Sequence, residues 1–190
     1  MTEPQHPTQE QIKEFVIAAH SNLEKVKSLH AAEPALLNER FADFNETALE
    51  AASHMGNQPI AEYLLAQGAP LTICAAAMLG QYSAVVQFLD DDPTQVNTLG
   101  AHGIPLFFHA ALSGDTAITT LLLARGGGEG LTMSLHAAVK FGHRAMTQWL
   151  LDHGTDTNVK DFQGQTPLDV AVAQGYTEVA AILRAHMATG

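Results

Sequence analysis

One frame of residues recurs along this chain, and it restricts the fold more than any other feature. In its C-terminal copy, Thr166-Pro167-Leu168 is followed by Ala171, Gly175 and apolar residues at 179, 182 and 183. Upstream, Ser134-Leu135-His136-Ala137-Ala138 leads to Gly142, Met146, Trp149, Leu150, Leu151 and Gly154. Ala110-Ala111 leads to Gly114, Ile118, Leu121, Leu122, Leu123 and Gly126. Thr47-Ala48-Leu49 leads through Ala51-Ala52 to Gly56, Ile60, Tyr63, Leu64, Leu65 and Gly68. Ala75-Ala76-Ala77 leads to Gly80, Val85, Phe88 and Leu89, and the weakest copy runs from Phe15 through Ala18-Ala19 and Asn22 to Val26 and Leu29.

Each copy predicts two short helices. Thr or Ser opens the first as an N-cap, and Pro167 suits a first helical turn, where the missing N–H has no partner to lose. Paired alanines allow close helix approach. The glycine, or Asn22 in unit one, ends the helix in a left-handed conformation that few other residues adopt cheaply. Apolar residues at helical spacing follow on the second helix. No unit buries its apolar face alone, so the units must stack into one elongated solenoid.

These units resemble ankyrin repeats, whose signature is Thr-Pro-Leu-His-x-Ala at a period near 33 residues. Thr166-Pro167-Leu168, Leu135-His136-Ala137-Ala138 and Gly142-His143 match it best. The resemblance implies an all-α ankyrin-type solenoid of about six helix-turn-helix units with a few short β-hairpin fingers. The expected units are 13–37, 47–69, 71–91, 105–127, 133–155 and 166–188, within a single domain spanning 13–190 and preceded by a disordered tail, 1–12.

The spacing departs from a regular array. The helix-ending positions 22, 56, 80, 114, 142 and 175 are separated by 34, 24, 34, 28 and 33 residues. Only Ala69-Pro70 separates Gly68 from Leu71, and Gly126-Gly127-Gly128-Glu129-Gly130 is similarly brief. Glu33-Pro34-Ala35-Leu36-Leu37-Asn38 resembles Asp92-Pro93-Thr94-Gln95-Val96-Asn97, 59 residues later. The expectation is therefore three double units, with fingers after units one, three and five, similar to bacterial ankyrin-like proteins with alternating long and short repeats.

Composition narrows the function. The net charge is −11 and the nine basic residues are scattered, which disfavours nucleic acid and anionic membrane. No apolar run of about 18 residues is present, and the first ten residues lack a signal-peptide pattern. A cytoplasmic location is the expectation. Cys74 is the only cysteine, so no internal disulfide or thiolate zinc cluster arises.

Catalytic and metal chemistry find little support in the spacing. None of the ten histidines forms an i, i+4 pair or a His-Glu-x-x-His motif, so structural roles are expected and no metal or cofactor is assigned. His136 occupies the repeat's own histidine slot, His143 follows Gly142, and His153 suits the end of a helix. Asp90-Asp91-Asp92 lacks the alternating oxygens of a calcium loop. The run 126–130 lacks the Lys-Ser/Thr of a phosphate loop. No nucleophilic triad is apparent, and the chain reads as non-enzymatic.

The resemblance implies a concave groove lined by the two positions before each helix-ending residue: His20-Ser21, His54-Met55, Met78-Leu79, Leu112-Ser113, Lys140-Phe141 and Ala173-Gln174. Its middle is apolar, and an exposed apolar patch marks an interaction site. The expected partner-binding residues are His54, Met55, Met78, Leu79, Leu112, Lys140 and Phe141, flanked by finger residues Phe44, His102 and Phe162. Packing of these apolar side chains beneath the fingers or between units is the alternative. The function expected is a protein–protein interaction module whose partner is another protein, with the chain a monomer or self-associating through the groove. The rival is a metal- or small-molecule-binding regulator that uses His20, His54 and neighbouring residues.

Overall fold

A computed structural model describes residues 6–189. Six helix pairs follow one another: α1 (Gln9–Ala19) and α2 (Leu23–Ala32), α3 (Ala48–Met55) and α4 (Gln58–Ala66), α5 (Ile73–Met78) and α6 (Tyr82–Asp91), α7 (Leu106–Ser113) and α8 (Thr116–Ala124), α9 (Leu131–Lys140) and α10 (Arg144–Asp152), α11 (Pro167–Ala173) and α12 (Thr177–Thr189). Each first helix packs on the next: α1 on α3, α3 on α5, α5 on α7, α7 on α9, α9 on α11. The result is the all-α solenoid of helix-turn-helix units that the recurring frame predicts.

The alanine pairs explain the tight stacking. Ala51, Ala52, Ala75, Ala76, Ala110, Ala111 and Ala138 are fully buried between neighbouring first helices. Behind them Ile60, Leu64, Ile118, Leu122, Met146 and Leu150 fill a continuous core, each aliphatic side chain stabilising by about 1.5–3 kcal/mol relative to exposure. Thr8, Thr47 and Thr166 form reciprocal capping boxes with Gln11, Glu50 and Asp169. Gly56, Gly80, Gly114, Gly142 and Gly175 all take the left-handed conformation expected of them.

Unit one differs. Asn22 has φ −125° and is not left-handed; its Oδ1 instead accepts the Lys25 N–H at 3.0 Å and caps α2. The side chain satisfies the next helix directly, so no left-handed residue is needed. Helix α1 also begins at Gln9, inside the expected tail, because Thr8 and Gln11 close a capping box there. The remainder of that tail expectation, residues 1–5, lies outside the described residues. Helix α9 begins at Leu131, three residues before Ser134, whose Oγ donates to Gly130 O at 2.8 Å from within the helix.

The long connections carry the fingers. After α2 and α6 the two matching segments form equivalent 3-10 turns, Pro34–Asn38 and Pro93–Asn97, capped by Glu33 and Asp92. Each turn buries one apolar side chain, Leu36 in the first and Val96, one position further along, in the second. The first finger is the antiparallel pair β1 (Arg40–Phe41) and β2 (Glu46–Thr47), with Phe41 opposite Glu46. The second has a single bridge between Leu99 and Pro105 around the 3-10 turn Ala101–Gly103. The third is a turn closed by the Asp161 N–H donating to Gln165 O at 2.9 Å. Between units four and five the glycine run lies close against the preceding finger: a Cβ on Gly127 would come within 2.8 Å of Val96.

In the C-terminal half Trp149 stacks on His153 with ring centroids 3.7 Å apart, and His153 Nδ1 donates to Trp149 O. No helix among the described residues is long and apolar enough to cross a membrane.

Candidate functional site

The concave face is more filled than its sequence positions imply. Met78 is 0% and Leu112 3% exposed, so the expectation that both lie open in a groove is corrected. The cause is convergence of the first-helix ends. A Cβ built on Gly56 would meet Phe141 Cζ at 2.7 Å and Leu112 Cδ2 at 3.3 Å. Phe141 thus reaches from unit five to the helix end of unit two, and the apolar groove positions pack on one another. Met55, Leu79 and His54 are partly covered, while Lys140, Phe141, Phe44, His102 and Phe162 stay exposed. Lys140 Nζ sits 5.4 Å from the Phe141 ring centroid; although the side chain reaches solvent, the protein around its ammonium group desolvates it enough to lower its pKa.

Several histidines act on backbone, as their slots imply. His136 Nε2 lies 2.8 Å from Val159 O, tying α9 to the connection that follows α10, and His143 Nε2 lies 2.9 Å from Leu112 O, tying unit five to unit four. His109 is buried in α7 and its Nδ1 donates to Pro105 O at 3.1 Å. Burial pulls its pKa down to about 4, with the neighbouring His54 acting in the same direction and the Pro105 bond opposing. Cys74 lies nearby, beside a cavity of about 330 Å³ that also touches Thr72, Gln95, Gly100 and His109. Burial, reinforced by the charge of Glu50, pushes its thiol up to about 12. A thiol so held is no nucleophile.

Three other histidines converge on one carboxylate. Glu46, on the first finger, has a side chain with 0% exposure. His54 Nε2 of α3 is 3.1 Å from Glu46 Oε2, His102 Nε2 of the second finger is 3.3 Å from the same oxygen, and His20 Nε2, just past α1, is 3.4 Å from Oε1. The rings meet edge to face, His20 on His54 and His54 on His102, each with centroids 5.1 Å apart. Phe44 borders His102, and Phe41 packs against Phe44 behind it. One donor atom from each of the four residues lies within 4.8 Å of the others, the donor set of a transition-metal site.

The sequence spacing did not disclose this cluster. The three histidines are 34 and 48 residues apart, and Glu46 carries no motif. The usable signal was positional: His20 and His54 occupy the same slot of adjacent units, which stacking places side by side. His102 was singled out only as a finger residue flanking the groove.

Family models for ankyrin repeats match residues 44–76, 73–161 and 107–189. The chain is 30% identical over 135 residues to the rat cyclin-dependent kinase 4 inhibitor B, covering 67% of this chain and 99% of that protein. It is 25% identical over 143 residues to the rat ankyrin repeat and SAM domain-containing protein 6, covering 67% of this chain but only 16% of that protein. A shorter match, 40% identical over 53 residues, is to the potassium channel AKT1 of Arabidopsis thaliana, with 28% of this chain and 6% of the channel covered. With six stacked helix pairs and these matches over most of its length, the chain belongs to the ankyrin-repeat family.

Proposed function

We propose that this chain is a non-enzymatic protein-interaction module that engages its partner through its finger tips and the exposed rim of its concave face. The observation that carries the reading is Phe162, 98% exposed on the third finger. An aromatic ring held in water on an ordered turn is the kind of anchor that dominates protein interfaces once buried. Phe44 on the first finger, Phe141 with Lys140 on the concave rim, and the partly covered Met55, Leu79, His54 and His102 complete the proposed surface. Met78 and Leu112 support it from within the core.

Stacking supplies rigidity, so little ordering entropy opposes binding. The partner is a protein. Similarity to a relative named as a kinase inhibitor favours an enzyme that the module escorts or restrains. The reading extends to a monomer in a bacterial cytoplasm, with the alternating long and short connections as the support for the bacterial origin.

The test is cross-linked capture from the native cell followed by binding measurements on purified candidates. A partner whose affinity falls tenfold or more with Phe162→Ser or Phe44→Ser, while the melting temperature holds, supports the surface. A partner bound equally by both variants and the parent overturns it.

A further inference from the structure

The Glu46 cluster lies outside the repeat's own framework and sets an electrostatic problem. A carboxylate with 0% side-chain exposure needs a compensating charge. His20 shows that neutral imidazoles do not provide it. Its Nδ1 lies 3.0 Å from Val16 O, and a carbonyl only accepts, so Nδ1 carries the ring proton. In a neutral ring, Nε2 then presents a lone pair to Glu46 Oε1 at 3.4 Å, acceptor against acceptor. Glu46 Oε1 is buried and receives no hydrogen bond. A cation seated among these atoms resolves both conflicts at once.

The geometry points to a divalent first-row transition metal, and we propose that His20, Glu46, His54 and His102 form a site for one such ion, with Zn²⁺ the best match. In tetrahedral coordination at about 2.0–2.1 Å, neighbouring donor atoms stand roughly 3.3–3.4 Å apart. His54 and His102 stand 3.1 and 3.3 Å from Glu46 Oε2 and His20 stands 3.4 Å from Oε1, and all four donor atoms lie within 4.8 Å of one another, so small side-chain rotations close the set around an ion. Three imidazoles and one carboxylate suit zinc and its neighbours, whereas calcium and magnesium want oxygen throughout. The Nδ1–H of His20 on a backbone carbonyl is the outer-shell bond that orients a ligating imidazole.

Backbone conformation gives an independent sign. Among the described residues only two non-glycines have positive φ, Asn45 at 51° and His102 at 59°. Asn45 immediately precedes Glu46, and His102 is itself in the cluster. Such conformations persist where the surroundings over-determine them and gather at functional sites. Here they swing the carboxylate and the third imidazole inward from two separate fingers.

The ion joins the end of α1, the first finger, α3 and the second finger. It therefore fixes the relative positions of two fingers that share no backbone ladder. Phe44, whose ring lies 6.1 Å from that of His102, moves with them. The site makes the shape of the N-terminal finger surface metal-dependent. It stands without the protein-partner reading, because its test measures the ion alone.

The experiment uses the tag-free full chain stripped with a chelator. Zn²⁺ is titrated in competition with a chromophoric chelator, and Co²⁺ is followed by its visible absorption. The expected results are one ion per chain, intense tetrahedral Co²⁺ bands, and a melting temperature that rises with Zn²⁺ and falls on chelation. His54→Ala and His102→Ala should each weaken Zn²⁺ by at least about a hundredfold, the upper range for outer-shell losses alone, and abolish the bands. His153→Asn, far from the cluster, should change neither. His102 is half-exposed on a finger, so its variant keeps the fold, which circular dichroism checks. Absence of stoichiometric Zn²⁺ binding by the parent chain, or undiminished affinity in either histidine variant, overturns the proposal.

Discussion

The ring of Phe141 closes on the α-carbon of Gly56, so that unit five touches unit two across the concave face; an added methyl at Gly56 would lie 2.7 Å from Phe141 Cζ. Gly56 also has φ +73°, where any side chain is strained. Gly154 shares the conformation, φ +78°, but a Cβ there meets nothing within 4 Å. Gly154→Ala should therefore cost about 1 kcal/mol and Gly56→Ala about 2–3 kcal/mol, through the added clash. Urea unfolding of the two variants measures the difference, and equal losses would mean that Phe141 moves aside freely.

His109 should make the protein acid-sensitive. Its folded pKa, about 4, lies below the ordinary 6.5, so below pH 6.5 the unfolded chain takes up a proton that the folded chain refuses. Its contribution is fully present above pH 6.5 and is lost as pH falls towards 4, in total about 3 kcal/mol. His109→Gln should flatten that part of the stability–pH curve. Urea midpoints measured from pH 7 to pH 4 check it; a curve of unchanged slope would place the acid sensitivity elsewhere.

Cys74 should be silent in the native state. A buried thiol raised to about 12 offers almost no thiolate at pH 8. Alkylation should proceed only through unfolding, with a rate that rises as urea is added. Rapid labelling in native buffer would show that the neighbouring cavity opens to solvent.

Phe162→Ser should leave stability unchanged within about 0.5 kcal/mol, because the side chain is 98% exposed. Met78→Ser, at a position that is 0% exposed, should cost several kcal/mol. Thermal melts of the pair separate surface from core among residues that the repeat frame alone assigns to one face.

Much of the architecture was legible because the repeat writes each helix pair in the same letters. Thr47, Thr166, the alanine pairs and the helix-ending glycines did what their chemistry requires. The likeness of Glu33-Pro34 to Asp92-Pro93 marked two equivalent connections, although not that both would form 3-10 turns. Curvature was not legible. The burial of Met78 and Leu112 depends on how sharply successive first helices converge, which no local pattern encodes. The Glu46 cluster was half-legible: the shared slot of His20 and His54 placed two rings together, but Glu46 and His102 arrive from fingers whose paths depend on the left-handed Asn45 and His102. Asn22 misled because asparagine serves both as a left-handed stop and as an N-cap, and the cap prevailed.

The stack of Trp149 on His153 has a consequence for how the molecule is observed. Trp149 is the only tryptophan of the chain, and it resides in unit five. The indole stands against the His153 imidazole with ring centroids 3.7 Å apart, so its surroundings, and with them its emission, change when that stack separates. Because a solenoid is held by neighbour-to-neighbour contacts, its two ends can melt separately. The emission therefore follows the C-terminal units and is blind to fraying at the histidine cluster in the N-terminal ones. Any mismatch between fluorescence and far-ultraviolet dichroism during unfolding tells which end lets go first.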